Sequence, residues 1–198
     1  MRIGIFGGAF NPVHNGHLNI ADAFYEALSL DKLLFIPTAK PPHKSDAGLL
    51  SGEDRVNMLR LSVENKPYEI STIEFERNDK SYTYDTLIEL KRLYPDSEFF
   101  LIIGADQIIH FDKWYRYEDI LGMVTLCTSA RENEEEKQLI IKSAKRLGIK
   151  DSFYMSSRAV IKVSSSEIRE KIKNGSDVSS LLPKKVFDYI SEKGLYRV

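Results

Sequence analysis

The sequence predicts an α/β fold, a doubly wound and mostly parallel Rossmann-like sheet with helices on both faces. Short apolar runs typical of buried strands alternate with amphipathic segments of helical spacing, and this alternation favours a parallel sheet with right-handed crossovers. The run EFFLII at 98–103 has the apolar continuity of a central strand covered on both faces. No linker-like change in composition divides the 198 residues, a length that suits one domain at roughly 150 residues per domain. We therefore expect residues 1–198 to form a single domain, with the C-terminal helices within 164–198 packing on it.

Six segments have the length and apolar pattern of β-strands. The first, RIGIF, ends at Gly7 and Gly8, and the run LLFI is closed by Pro37. The predicted strands cover residues 2–6, 33–36, 73–75, 98–103, 123–127 and 153–155.

Helix starts are marked by capping residues. Ser51 and Ser164 are each followed three residues later by an acidic side chain, the spacing of a capping box. Thr83 is a further candidate cap, for a helix that ends before Pro95. Besides the helix at Thr83, the predicted helices cover residues 18–28, 51–63, 132–147, 164–174 and about 183–193.

Composition excludes several classes of function. Lys and Arg number 28 against 29 Asp and Glu, without a basic run, so we expect no nucleic-acid partner. Cys127 is the one cysteine, and no Cys/His cluster has zinc spacing, so neither an internal disulfide nor a protein-held metal is expected. The apolar stretch 3–10 is interrupted by glycines and stops at Asn11, too early for a signal peptide or membrane span. We expect a cytoplasmic protein without a membrane partner; the sequence does not indicate its oligomeric state.

The first strand-to-helix turn, GGAFNPVHNGH at residues 7–17, is the candidate ligand site. Ligands of open α/β sheets lie at the carboxyl ends of the strands. Gly7 and Gly8 let the backbone approach a ligand, and the following helix presents free N–H groups to an anion. His14 and His17 lie three residues apart at this helix end, so both rings can converge on a phosphate, each donating a hydrogen bond and adding charge when protonated. The alternative, one capping histidine and one surface histidine, is less consistent with two histidines on a glycine-rich turn.

This turn resembles the H-x-G-H signature of the nucleotidyltransferase superfamily, preceded by G-G-x-F-x-P. It is neither a G-x-G-x-x-G fingerprint nor a P-loop. Within the superfamily the chain resembles the bacterial nicotinate-nucleotide adenylyltransferases over nearly its whole length. The other motifs that carry this resemblance are Pro41-Pro42-His43-Lys44, Ser81-Tyr82-Thr83 with Asp85-Thr86, Gly104-Ala105-Asp106, Trp114 and Val163-Ser164-Ser165-Ser166-Glu167-Ile168-Arg169.

Three positions depart from the family pattern. Family members often have Thr and Asp where this chain has Ala9 and Asn11. The Arg-Pro pair that usually follows the strand at 123–127 appears only as Arg131 followed by Glu132. The backbone role of the turn does not depend on the first two changes.

The resemblance implies transfer of the adenylyl group of ATP to nicotinate mononucleotide, giving nicotinate adenine dinucleotide and pyrophosphate, in NAD biosynthesis. The attacking phosphate is already a competent nucleophile, so the reaction requires positioning of two anions and neutralisation of charge rather than a covalent residue.

The implied ATP site combines the histidine turn with the helix that begins near Ser165. His17 is the expected contact to the α-phosphate, with His14 beside it, and Arg169 would reach the β- and γ-phosphates. Mg²⁺ would be held mainly by ATP oxygens and water, because no carboxylate cluster suggests a cage. The residues expected to bind ATP are Gly7, Gly8, Phe10, His14, His17, Gly104, Asp106, Ser165, Ser166 and Arg169.

The implied acceptor site is aromatic. Trp114 would stack on the pyridine ring, while backbone amides near Thr83 and Tyr115 receive the nicotinate carboxylate. Asp106 would accept hydrogen bonds from ribose hydroxyls or else cap the next helix. The residues expected to bind the acceptor are His43, Lys44, Thr83, Asp106, Trp114, Tyr115 and Arg131.

Two kinds of alternative stay open. In the first, the reaction is the same but the acceptor is nicotinamide mononucleotide, phosphopantetheine or, with CTP, a phosphorylated alcohol. The PPHK and SYT segments argue against phosphopantetheine. A non-catalytic adenine-nucleotide sensor is the alternative from another class. Intact His14, His17 and Arg169 argue against it, because sensing does not need charge neutralisation at the α-phosphate.

Overall fold

A computed structural model describes residues 1–41, 48–130, 134–149, 152–156, 158 and 161–197. Its sheet has six strands in the order β3-β2-β1-β4-β5-β6, and every neighbouring pair is parallel. The strands are β1 Arg2–Gly8, β2 Lys32–Pro37, β3 Tyr68–Ile70, β4 Glu98–Ile102, β5 Val124–Ser129 and β6 Phe153–Ser156. The predicted fold class is confirmed.

Helices connect the strands and complete the C-terminal part. They are α1 Asn15–Ala27, α2 Gly52–Val63, α3 Thr83–Leu93, α4 Ala105–Ile109, α5 Tyr117–Leu121, α6 Glu134–Arg146, α7 Ser165–Lys173 and α8 Lys184–Lys193, with 3₁₀ turns at Ile73–Glu76 and Phe111–Lys113. The Ser51 and Ser164 hydroxyls accept from the backbone N–H three residues later, at 3.0 and 3.1 Å, so both predicted caps are confirmed. Thr83 is not a cap but the first residue of α3, whose N-cap is Tyr82.

The predicted strand at 73–75 is wrong. This segment forms the 3₁₀ turn Ile73–Glu76, and the third strand lies just before it, at Tyr68–Ile70. The Ile-Glu-Phe alternation suits a strand, but Ile73 and Glu74 are both buried, whereas alternate residues of a half-buried strand point to opposite faces. Contacts made by Glu74 with other segments override the local pattern.

Successive strand residues supply two separate cores. In β4, Phe100 and Ile102 join the cluster under α1, α2, α7 and α8, whereas Phe99 and Leu101 join the cluster under α3 to α6. Ile168 of α7 and Val186 of α8 are buried in the first cluster, so the C-terminal helices rest on one face of the sheet. None of the described helices has the length and apolarity needed to cross a bilayer.

The strand order places a crevice between β1 and β4. These two strands are neighbours, while the chain runs outward from β1 to β3 on one side and from β4 to β6 on the other. Such a reversal opens a crevice at the carboxyl ends of the two central strands. The segments after Gly8 and Ile102 therefore define where a ligand can enter.

Candidate active site

Two adjoining cavities lie at this edge of the sheet. The first has a volume of about 600 Å³ and the second about 440 Å³. Gly7, Ala9, Pro41, Ile103 and Gly104 line both. The carboxyl ends of β1 and β4, with Pro41 from the segment after β2, thus form a floor common to the two cavities.

Most of the residues predicted to bind ATP line the first cavity. They are Gly7, Phe10, His14, His17, Gly104, Asp106, Ser165, Ser166 and Arg169. Gly8 lines the second cavity instead. Residues more than 150 positions apart in the chain therefore meet at one cavity.

The two histidines form a stacked pair at the start of α1. Their ring centroids are 3.7 Å apart, and the backbone N–H of His14 donates to Nδ1 of His17 at 3.2 Å. Because Nδ1 accepts this bond, the proton of a neutral His17 ring lies on Nε2, which leaves an N–H donor for a ligand. Nδ1 of His14 is buried and has no hydrogen-bond partner among the described residues.

Both imidazoles are neutral at neutral pH. Burial lowers the pKa of His14 to about 4. Burial, together with the nearby His14 ring, lowers the pKa of His17 well below its ordinary value. In the protein alone these rings are therefore hydrogen-bond donors rather than the cations that the sequence also allowed, and a bound polyanion would raise both pKa values.

The close approach of α1 to the C-terminal part depends on Gly16. A Cβ atom there would lie 2.9 Å from Cγ1 of Val163, 3.1 Å from the carbonyl oxygen of Ile161 and 3.1 Å from Nδ1 of His14. Real Cβ atoms almost never come within 3.0 Å of another atom, and contacts at 3.1 Å are tighter than most. Gly16 is thus required by packing rather than by a special backbone angle.

The N-terminal turn of α7 is bound directly to the first turn. Ser165 Oγ donates to the carbonyl oxygen of Pro12 at 2.8 Å. Arg169 donates from Nη1 to the carbonyl oxygen of Asn11 at 2.8 Å and from Nη2 to Ser166 Oγ at 3.2 Å. A permanent cation is thereby held beside the hydroxyls of the first cavity.

The predicted acceptor residues Thr83, Trp114 and Tyr115 line the second cavity. Trp114 is half-buried against Phe111, with ring centroids 4.8 Å apart, and Tyr115 lies 4.8 Å from the Tyr82 ring. Tyr82 makes no side-chain cap, so no cap side chain occupies the first N–H groups of α3. The start of α3 and the aromatic side chains therefore line one cavity.

Asp106 lies in the first cavity and does not cap a helix. The N-cap of α4 is Gly104, and Asp106 is the second residue of that helix, accepting from Gln107 Nε2 at 2.6 Å. A Cβ atom on Gly104 would lie 2.7 Å from Oδ1 of Asp106. The carboxylate is exposed and free to meet a ligand. His43, Lys44 and Arg131 lie outside the described residues.

Comparisons with known proteins agree with this geometry. The family model described as cytidylyltransferase-like matches residues 5–171. A probable nicotinate-nucleotide adenylyltransferase of Carboxydothermus hydrogenoformans is 40% identical, over 99% of this chain and 98% of that one. Another, of Geobacillus thermodenitrificans, is 39% identical over 98% of this chain and 86% of that one. The chain belongs to the nicotinate-nucleotide adenylyltransferase family.

Solved structures share the fold of this adenylyltransferase family member. The nicotinic acid mononucleotide adenylyltransferase of Plasmodium falciparum, complexed with NaAD, matches with a TM-score of 0.80 at 21% identity, over 98% of this chain and 97% of that one. The same enzyme complexed with APC matches with a TM-score of 0.77 at 20% identity, over 98% and 96%. At this level of identity the likeness establishes the fold alone.

The structure explains two departures from the family pattern. Asn11, 5% exposed, donates from Nδ2 to the carbonyl oxygen of Gly48 at 2.8 Å, and its Oδ1 accepts from Tyr196 OH at 2.8 Å. An aspartate would lack the first donor. The carbonyl oxygen of Ala9 accepts from Arg55 Nη1 at 2.9 Å, a backbone contact that does not use the side chain at position 9.

Sequence reasoning missed Arg55 and Glu74. Both are almost fully buried, at 1% and 7% exposure, and both hold backbone segments around the cavities. Each stands in a segment whose pattern does not distinguish it from an ordinary surface charge. Only the tertiary structure identifies them.

Proposed function

We propose that this chain transfers the adenylyl group of ATP to nicotinate mononucleotide, giving nicotinate adenine dinucleotide and pyrophosphate, a step of NAD biosynthesis. The observation that carries the proposal is the pair of adjoining cavities with a common floor, one built for anions and the other aromatic. The names of the relatives, at 39 to 40% identity over nearly the whole chain, support the same activity.

In this proposal a phosphate oxygen of nicotinate mononucleotide attacks the α-phosphorus of ATP in line with the leaving group. The bond from the α-phosphorus to the bridging oxygen breaks, and pyrophosphate departs with that electron pair. Negative charge grows on the oxygens around the α- and β-phosphates. Donors fixed in advance at those oxygens stabilise the transition state most, because they need no reorganisation.

The residues of the first cavity suit the ATP part. His17 Nε2–H is oriented by the His14 backbone and donates to the α-phosphate, with His14 beside it. The Ser166 hydroxyl and the Arg169 guanidinium serve the β- and γ-phosphates, and Ser165, whose hydroxyl donates to the Pro12 carbonyl oxygen, offers its backbone N–H at the start of α7. Asp106 serves as an acceptor for ribose hydroxyls.

The second cavity suits the nicotinate part. Trp114 offers an aromatic face for an electron-poor pyridine ring. Backbone N–H groups at Thr83 and Tyr115 match a carboxylate, which only accepts hydrogen bonds. His43 and Lys44 are assigned to the acceptor phosphate, and Arg131 to the acceptor site, from their sequence positions alone.

Mg²⁺ enters with ATP in this proposal. Mg²⁺ would be held mainly by ATP oxygens and water, which fits a cavity whose proposed phosphate-binding residues are hydrogen-bond donors rather than carboxylates. The ion would neutralise charge on the phosphates, while the residues of the chain orient them. No protein ligand is assigned to it.

Pyrophosphate release tests the activity directly. ATP is offered with nicotinate mononucleotide, nicotinamide mononucleotide or phosphopantetheine in turn, and CTP with a phosphorylated alcohol. The fastest release is expected with ATP and nicotinate mononucleotide. Binding of ATP without release from any pair would support the nucleotide sensor instead, and faster release with another acceptor would reassign the substrate.

A further inference from the structure

A buried polar cluster lies behind one side of the second cavity. It consists of Glu74, Arg77, Ser81 and Thr86, and is called here the Glu74 cluster. Glu74, Ser81 and Thr86 line the cavity, at 7%, 6% and 3% exposure. Glu74 comes from the 3₁₀ turn after β3, whereas Thr86 belongs to the first two turns of α3.

The Glu74 carboxylate joins two chain segments that are far apart in sequence. Thr86 Oγ1 donates to Glu74 Oε1 at 2.9 Å, and the Ser81 hydroxyl also donates to this carboxylate. On the other side, the backbone N–H of Ala39 points to Glu74 Oε2 at 3.4 Å. Ser81 Oγ in turn accepts from the backbone N–H of Lys40 at 3.1 Å.

These two segments are the walls of the acceptor cavity. Thr38 and Pro41, on either side of Ala39 and Lys40, line it, as do Tyr82 and Thr83, which follow Ser81 directly. The backbone also joins the two walls directly, because the Ser81 N–H donates to the Lys40 carbonyl oxygen at 2.9 Å. Glu74 and its donors add a second link, so the distance between the walls and the direction of the first N–H groups of α3 depend in part on them.

A carboxylate is a costly way to fill this position. Burial raises the pKa of Glu74, and the Ser81, Thr86 and Ala39 donors and the Arg77 charge only oppose that effect. An apolar side chain of similar volume would fill the space without this cost. A buried carboxylate beside an anionic substrate also works against binding by direct contact, because like charges repel. Glu74 is therefore better suited to fixing the positions of the cavity walls than to contacting the substrate.

We infer that Glu74 is a positioning residue for the acceptor: it holds the segment after β2 and the start of α3 at the separation that nicotinate mononucleotide requires. This inference rests on the proposed function for the identity of the acceptor. It assigns to the Glu74 cluster a role in affinity and selectivity at the second cavity, and none at the first.

The test compares Glu74→Gln with Glu89→Gln. Glu89 accepts from Arg77 Nη1 at 3.2 Å, the arginine whose Nη2 donates to Thr86, but it does not line the cavity, so it is a control for loss of a carboxylate next to the Glu74 cluster. In Glu74→Gln an amide N–H₂ replaces one acceptor oxygen and faces donors. We expect KM for nicotinate mononucleotide, and its Kd by calorimetry, to rise about tenfold, with KM for ATP unchanged within about twofold and Glu89→Gln resembling the wild type.

The preference for nicotinate over nicotinamide mononucleotide gives a second measurement, and the inference predicts the direction in which it changes. Displaced α3 amides discriminate less well, so the preference for the acid over the amide acceptor should fall in Glu74→Gln. A rise would mean that Glu74 repels the acid by direct contact, and would overturn the inference. So would equal changes in the ATP and acceptor constants, or wild-type values throughout.

Thr86→Val tests the positioning role of Glu74 if Glu74→Gln does not fold. This nearly isosteric change removes the hydroxyl between Arg77 and Glu74, and the same rise in acceptor KM and Kd is expected. If the wild type releases no pyrophosphate, the proposed function fails, while the calorimetric comparison of acceptor and ATP binding still decides the role of Glu74.

Discussion

The protonation state and the orientation of His17 are set by different features of its surroundings. Burial and the stacked His14 ring disfavour the charged form, while the hydrogen bond from the His14 backbone fixes which nitrogen carries the proton. The result is a neutral donor in a known direction. A neutral donor of this kind stabilises negative charge that develops during the reaction, but it does not attract anions from solution before the substrate binds.

Replacement of His17 is expected to act on the transition state. His17→Ala should lower kcat by about 10² to 10³, the usual effect of losing one preorganised donor, and should weaken ATP binding far less. Steady-state kinetics together with ATP calorimetry measure both. His110, an exposed histidine that lines neither cavity, is the control, and His110→Ala should behave as the wild type. An unchanged kcat in His17→Ala would contradict the assignment.

The low pKa of His14 makes stability depend on pH. The folded pKa of about 4 lies below the ordinary histidine pKa of 6.5, so between these values the unfolded chain binds a proton that the folded chain does not. Stability should therefore fall as pH is lowered from about 6.5 towards 4, by up to about 1.4 kcal/mol per pH unit. Urea unfolding at pH 7 and pH 5 measures the loss, which should be smaller in His14→Gln. Identical losses in the two proteins would refute this effect.

The two histidines were predicted from their type and spacing on a glycine-rich helix start, and Arg169 from the resemblance of its segment to the family motif. Sequence reasoning did not predict Asn11, Arg55 or Glu74, whose importance comes from backbone groups of distant segments. A charged residue in a polar segment gives no sign in the sequence that it is buried. Only contacts across the fold supply that information.

At the scale of elements, α1 and the segment before α7 meet at Gly16. Gly16→Ala should destabilise the protein by about 1 to 3 kcal/mol through overpacking, and should reduce kcat because the added methyl group meets the His14 ring. Thermal unfolding and kinetics test the two effects.

Gly122→Ala is the control for this substitution. Its added Cβ would lie 3.5 Å from the carbonyl oxygen of Asp119, an ordinary contact, and its backbone is already helical. We expect stability and kcat of this variant to match the wild type. If Gly16→Ala proved equally harmless, the packing constraint at α1 would be wrong.

The longer elements were predictable and the shortest ones were not. Helices with a hydroxyl cap and several turns of apolar spacing, such as α2 and α7, begin where the sequence indicated. The five-residue helices α4 and α5 were missed, because five residues are too few to show a hydrophobic period. Three-residue strands are ambiguous for the same reason, which is why the third strand was placed at 73–75 instead of Tyr68–Ile70.

At the scale of the whole molecule, the proposed assignment of ATP to the first cavity and of the acceptor to the second predicts that the two affinities can be changed separately. Trp114 lines only the second cavity. Trp114→Ala should therefore weaken both pyridine nucleotides through lost stacking and leave ATP binding within about twofold of the wild type, since stacking on an aromatic side chain is worth roughly 1 to 3 kcal/mol per base. Calorimetry with each ligand measures this, and an equal loss for ATP would contradict the separation.

The wild type should also prefer the acid to the amide. A carboxamide would turn donors towards backbone N–H groups, and each unpaired group costs about 1 to 3 kcal/mol, so nicotinate mononucleotide should have the higher kcat/KM by tenfold or more. Side-by-side kinetics decide the point. Equal or better use of nicotinamide mononucleotide would overturn the acceptor assignment but not adenylyl transfer.

The common floor of Gly7, Ala9, Pro41, Ile103 and Gly104 has a consequence for inhibition. A dinucleotide made from both substrates fills both cavities at once, so it competes with each of them and must leave entirely before either can return. For the same reason, a single compound that joins a pyridine acid to an adenosine phosphate through a linker crossing this floor gains from both binding sites while losing translational freedom only once.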